Sequence, residues 1–318
     1  KISKIEEVSN ILTFTINNIN VSYINAIRRV ILANIPILVF KSEPYEKNNI
    51  NIISNKTRLN NEIIKQRISS IPVHIDDIKS FPYKDYIFEI DVKNDTQEIL
   101  YITTNDFKIK NINSDTYLSK SDVNKIFPPN NITNDYIIIS RLRENIGDNI
   151  DCEELILNAN LEIGTAEESG MFNVSSICCY GNTIDSVKIK EEWGLKEEEL
   201  KKNHNKEEID FIKKDWMLID AKKIFIENSF DFQLETIGIY DNFKLVELAC
   251  NILINKLLKI LSLLSEDSEL IYSSNDTLDN CYIIKLLNED YTIGKILEYY
   301  FYENYFKNNT TLKYVGFF

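Results

Sequence analysis

The chain has 318 residues, 44% of them hydrophobic, which is enough for two domains with cores of their own. Its 36 Lys and Arg against 49 Asp and Glu leave a net charge of −13, which argues against gripping a nucleic-acid backbone through clustered cations and points to protein partners. Five cysteines without any C-x-x-C spacing, and only His74 and His204 beside them, argue against a zinc site and suit an intracellular reducing compartment.

In chain order, residues 11–19 alternate apolar and polar as a half-buried strand does. A helix over 22–35 follows, with Ser22 as its expected N-cap and Pro36 as its stop. At ~100° per residue, Ile24, Ile27, Ile31 and Ile35 fall within about 80°, and Arg28 lies ~20° beyond that stripe. A guanidinium beside an apolar stripe either snorkels from a core edge or needs a partner. Ile37 to Glu43 reads as a strand. A second helix, ended by Pro72, carries Ile64, Ile68 and Ile71 with Arg67 at the flank.

The texture then turns β-rich, with short runs at 86–92, 99–103, 107–112, 136–140 and 154–162 separated by turn signals. Gly164 to Gly170 lacks the G-x-x-x-x-G-K-[ST] spacing of a phosphate loop. Residues 188–217 alternate acidic and basic clusters, as a solvated helix does. A strand over 225–238 precedes a long helix over 242–264, with Val246, Ala249, Leu253, Leu257, Ile260 and Leu264 along one side. No run approaches the ~18 apolar residues of a membrane span, and no signal peptide opens the chain.

Asn25-Ala-Ile-Arg28-Arg29, followed by Asn60-Asn-Glu62 and Arg67-Ile-Ser-Ser-Ile71-Pro72, resembles the signature pair of the alpha-like subunits of multisubunit RNA polymerases. These include bacterial alpha, its archaeal counterpart and the third-largest subunit of eukaryotic RNA polymerase II. Phe127-Pro-Pro-Asn130 and the stretch from Leu161 to Ser176 resemble the inserted domain of that third-largest subunit. Relatives carry a basic stretch with a histidine after Gly164, whereas this chain has Glu167 and Glu168, and it lacks the four-cysteine zinc loop of some relatives.

The end of the chain repeats its beginning at a constant offset of 270 residues: the strand, Ser/Thr cap and helix of 14–29 recur over 284–299. Thr292-Ile-Gly-Lys295-Ile-Leu297 resembles the small alpha-like partner, the eleventh subunit of RNA polymerase II. Both halves of a heterodimer thus resemble a fusion of the kind found in some large cytoplasmic DNA viruses. In this second copy Lys295 replaces the asparagine, and Glu298-Tyr299 replace the arginine pair.

The resemblance implies an α+β fold with two alpha-like dimerisation modules, the first interrupted by a β-rich lobe. Its implied segments are 1–75 and 225–268 (first module), 76–187 (inserted lobe), 188–224 (charged helical segment) and 269–318 (second module). The second module is expected to be incomplete at Phe318, where the family continues with a further strand and a long helix, and a few residues are expected to be missing before Lys1. The implied function is a non-catalytic assembly scaffold that docks the two large catalytic subunits and small polymerase subunits, without cofactor, metal, direct specific DNA contact or membrane. Asn25, Arg28, Arg29, Asn60, Glu62 and Arg67 are its expected subunit interface. Ile24, Ile27, Ile31, Leu253, Leu257, Ile260, Ile296 and Leu297 are expected to pair the modules within one chain rather than in a homodimer. If the source is viral, the host cytoplasm or virion is expected, and otherwise the nucleus. The rivals are a stand-alone acidic hydrolase and a DNA-binding transcription regulator. For the hydrolase, Asp76 and Asp77 could be offered as a catalytic pair, but neighbours on an extended chain point apart.

Overall fold

The computed structural model describes residues 1–145, 147, 151–266, 268–274, 280–308 and 311–318. In chain order, the hairpin β1 (Ile2–Val8) and β2 (Ile11–Asn17) leads into α1 (Val21–Ala33). Then come β3 (Ile37–Val39), β4 (Ile50–Asn55), α2 (Asn61–Ser69), β5 (Tyr86–Lys93), β6 (Leu100–Thr103), β7 (Lys108–Asn111) and β8 (Thr116–Tyr117). α3 (Lys120–Ile126), β9 (Ile138–Leu142), β10 (Glu154–Ala159), β11 (Glu162–Gly164) and β12 (Ser175–Ile184) follow. α4 (Ser186–Leu200), α5 (Lys206–Leu218), β13 (Phe225–Thr236) and α6 (Asn242–Glu266) lead to a second hairpin, β14 (Ile271–Ser273) and β15 (Tyr282–Ile284). α7 (Tyr291–Phe301) runs on into a π-helical turn, Tyr302–Lys307. The expected mixture of helix and sheet is present.

The chain divides into two compact units, the first made of Lys1–Val30, Ile177–Glu235 and Cys250–Phe318, the second of Ile31–Ser176 and Thr236–Ala249. In the first, a four-stranded sheet runs β1-β2-β13-β12. β2 and β13 are antiparallel with Phe14 opposite Phe232, and their rings stack at 5.1 Å. Leu12, Phe14, Ile16, Phe230, Phe232 and Leu234 alternate onto one face and are buried. On the other face, Asp231 accepts from Thr15 at 2.7 Å and from Thr183 at 3.0 Å.

Also in the first unit, 188–217 is two helices rather than one solvated helix. Ile189, Trp193, Ile209, Trp216 and Ala221 form a small core of their own. The Trp193 and Trp216 rings lie 5.4 Å apart; Lys213 covers the first and Lys196 the second.

The second unit holds a five-stranded sheet, β4-β10-β5-β7-β8, and the ribbons β6–β9 and β3–β11. β10 carries Leu155, Leu157 and Ala159 to one face, and its neighbour β5 places Val92, Ile90 and Phe88 directly opposite. Phe40, Phe88, Phe107 and Phe127 fill the centre, the closest pair of rings stacking at 4.8 Å. Ile64, Ile68 and Ile71 join this same core, so the helix that carries Arg67 packs with the strands that follow it. Gly164 allows β11 to approach β3, because a Cβ there would stand 2.6 Å from the Val39 side chain.

Contrary to the sequence expectation, among the described residues one helix is long and apolar enough to cross a membrane by length and composition, namely α6. It carries two apolar stripes. Leu245, Ala249, Leu253 and Ile260 are buried, whereas Ile254, Leu258 and Leu261 are exposed.

Candidate subunit interface

The signature helix begins one residue earlier than expected and has a different cap. Asn20, not Ser22, closes its first turn: its Oδ1 accepts from the Ser22 amide at 2.9 Å, and its carbonyl accepts from Tyr23 at 3.2 Å. Asn fills this role as well as Ser does, and it stands just ahead of the first helical residue. Ile24, Ala26 and Val30 are buried, Ile27 is half-buried, and Ile31, in the second unit, is fully buried.

Arg28 is braced on its own helix. Its Nε and Nη2 both donate to Asn25 Oδ1 at 3.1 Å, one turn back. The residue is half-buried, and among the described residues its guanidinium has no carboxylate at ion-pair distance. Behind it, the Cys178 thiol approaches the Arg28 carbonyl at 3.8 Å, and burial pushes that thiol up to about 12 although Arg28 pulls it down. Cys178 is therefore a packed thiol rather than a reactive one.

Arg29 turns the other way. Its Nε donates to Thr292 Oγ1 at 2.7 Å, and its Nη2 forms an ion pair with Asp290. Asp290 in turn caps α7, accepting from the Thr292 amide at 2.8 Å, so Thr292 is not the cap expected from the repeat. Burial raises the Asp290 carboxyl, but the hydrogen bonds from Thr292 and Arg29 outweigh it and hold it below the usual carboxylate range. Nearby, Tyr23 meets Tyr299 edge-on at 5.9 Å. Ile296 is buried and Leu297 half-buried in α7; Leu253 and Ile260 are buried and Leu257 half-buried in α6.

In the second unit, Asn60 is the cap of α2, accepting from Ile63 at 2.9 Å, and Glu62 stands exposed in the first turn, where a carboxylate suits the helix dipole. Arg67 donates through Nη1 to the Ile139 carbonyl at 3.0 Å and so ties α2 to β9. The sequence-predicted interface residues thus separate into Asn25, Arg28 and Arg29 in one unit and Asn60, Glu62 and Arg67 in the other.

Glu167 and Glu168 are engaged within the second unit. Asn34 donates to Glu167 at 2.6 Å, and the Glu167 amide donates to the Ala33 carbonyl at 2.9 Å. Lys41, only 6% exposed, lies 2.8 Å from Glu168 and 3.8 Å from Glu162.

Residues 13–257 match the family described as the RNA polymerase Rpb3/Rpb11 dimerisation domain. The chain belongs to that family. A DNA-directed RNA polymerase subunit Rpo3 of Methanosphaera stadtmanae is 25% identical over 278 residues, covering 80% of this chain and 94% of the relative. The Rpb3/Rpb11 match ends inside α6, ahead of β14, β15 and α7. Among the described residues, no group of three or more His, Cys, Asp or Glu side chains converges as metal ligands would.

Sequence reasoning missed Asn20, Tyr23, Asp290 and Tyr299 as a set. The signal was available in this Rpb3/Rpb11-type chain: the 270-residue offset, extended two positions upstream of Ser22 and Thr292, aligns the true caps Asn20 and Asp290.

Proposed function

We propose that the chain is a non-catalytic assembly subunit of a DNA-directed RNA polymerase. It acts as a scaffold on which the two large catalytic subunits and small polymerase subunits gather, with two alpha-like modules fused and paired inside one chain. The observation that carries this reading is the state of Arg28. Arg28, held in place by Asn25, half-buried and with no carboxylate at ion-pair distance among the described residues, is a preorganised donor for a carboxylate or carbonyl of another protein. The Rpb3/Rpb11 match and the relative's name as a polymerase subunit support the assembly role.

Two further observations support the fused arrangement. A hairpin followed by a capped helix occurs twice, and the two helices begin at 21 and 291, at the same offset as the sequence repeat. The bonds from Arg29 to Asp290 and Thr292 support pairing within the chain. In this reading α6 is a pairing helix rather than a membrane span, and the five free cysteines belong to a reducing compartment.

The test is co-expression with the two large polymerase subunits followed by affinity purification. The expected outcome is retention of the large subunits, together with no nucleotide polymerisation or hydrolysis by the chain alone. Loss of both large subunits at moderate salt would overturn the proposal, as would turnover abolished by a point change in this chain. Tight retention of DNA by the isolated chain would favour the regulator instead.

A further inference from the structure

The two hairpin–helix segments can be compared position by position, because the 270-residue offset holds for strand, cap and helix. Asn20 corresponds to Asp290, Ser22 to Thr292, Asn25 to Lys295, Arg28 to Glu298 and Arg29 to Tyr299. The bracing pair one turn apart is kept with its chemistry exchanged: Asn25 holds Arg28 in α1, and Lys295 pairs with Glu298 at 2.5 Å in α7. The contacts between the two helices are reciprocal. Arg29, the ninth residue of α1, lies against the first turn of α7 at Asp290 and Thr292. Tyr299, the ninth residue of α7, lies against the first turn of α1 at Tyr23.

From this reciprocity we infer that Arg29, Asp290 and Tyr299 are a pairing code, which makes the first segment choose the second and reject another copy of itself. The inference rests on the intramolecular pairing proposed above. Apply the same docking to two copies of the first segment. Each Arg29 would then face Asn20 and Ser22, an amide and a hydroxyl, at the electropositive start of a helix with no carboxylate to answer it. Two copies of the second segment would place each Asp290 against Tyr299, leaving two carboxylates without a cation. Only the mixed pairing matches one cation to one anion, and it lets the two tyrosines meet edge-on, the arrangement aromatic rings favour. Rejection of the wrong partner through an unanswered charge is a common source of specificity in paired helices.

The size of the effect follows from exposure. The side chains of Arg29 and Asp290 are 44% and 49% exposed, so solvent screens the ion pair, while the bond to Thr292 sits on a residue only 5% exposed. An exposed pair of this kind changes an equilibrium by at most about fivefold.

The experiment is a double-mutant cycle on the full chain with Arg29→Glu and Asp290→Asn, read by hydrogen exchange of the α7 amides and by native mass spectrometry. Asn caps helices as well as Asp does, so Asp290→Asn removes the charge without dismantling α7. Protection across the β5 and β10 amides reports whether the fold is otherwise intact. Arg29→Glu both removes the attraction and sets a second carboxylate against Asp290, so it is expected to lower α7 protection about five- to tenfold when Asp290 is present and at least threefold less when Asn stands there, with a new homodimer fraction in the single reversal. Equal losses in both backgrounds would overturn the code while leaving intramolecular pairing standing. α7 amides unprotected in the unaltered chain would remove the pairing and the code together.

Discussion

Replacing Arg28 by Ala separates a partner-facing residue from a structural one. Within the chain, Arg28 contributes two bonds to Asn25 on its own helix, and the side chain is half-buried rather than enclosed. Removing hydrogen bonds of this exposed, local kind costs about 0.5–1 kcal/mol of stability, and Ala returns part of it through its higher helix propensity. For units of this size that is a fall in melting temperature of about 2–4 °C at most. At an interface the balance differs, because a partner carboxylate or carbonyl desolvated against Arg28 would be left unanswered. Truncating one member of such a pair costs about 2–5 kcal/mol, a loss of affinity of about thirtyfold or more. Thermal melting of the isolated variant, set beside titration of its retention on the large polymerase subunits, measures both quantities. A melting point lowered by well over 4 °C with undiminished retention would refute the reasoning and return Arg28 to the core edge.

Two other perturbations test the structure itself. Trp216→Ala removes a ring that is 7% exposed and packs 5.4 Å from Trp193. The usual cost of about 3–5 kcal/mol exceeds what two short helices can hold alone, so trypsin should cut the Lys201–Lys206 connection much faster while the β5 and β10 amides stay protected. Unchanged cleavage, or unfolding of the whole chain, would contradict this. Tyr240 donates to the Pro36 carbonyl at 2.9 Å, and burial, with Asp76 and Asp77 adding to it, pushes its phenol from 10.0 up to about 12. A folded value above the unfolded one gives stability that is complete below pH 10 and lost as pH rises through 12. The melting temperature should therefore fall between those values, and Tyr240→Phe should flatten that fall; identical alkaline profiles would refute it.

Much of this was legible because local physics decided it. The apolar faces of α1 and α2 follow from spacing and their C-terminal limits from Pro36 and Pro72, and the β-rich texture of 86–162 follows from alternation. What was missed has two causes. Some elements lack a readable pattern: β1 is almost wholly exposed and interrupted by Lys4 at φ 51°, so no apolar face announces it. Others depend on contacts that no window spans. Trp193 and Trp216 read as isolated aromatics in a charged stretch until two helices bring them together. Arg29 finds Asp290 across 261 residues of sequence. The repeat located both segments, but pairing places a residue against a position that is not its own equivalent, and an alignment compares only equivalents.

The same distinction explains the acidic turn at Glu167 and Glu168. Judged against a basic relative, these residues look like the loss of a partner contact. Judged by their surroundings, they are demanded from within, because Lys41 is 6% exposed and a buried ammonium needs an anion. Glu168 supplies it at 2.8 Å, with Glu162 a weaker second at 3.8 Å. Glu167 stands near the C-terminal end of α1, where the helix dipole disfavours a carboxylate, yet Asn34 donates to it and its own amide satisfies the Ala33 carbonyl. A basic residue at 168 would set a second cation against Lys41. The acid at 168 and the lysine at 41 are therefore one choice rather than two, set by the internal demands of the second unit.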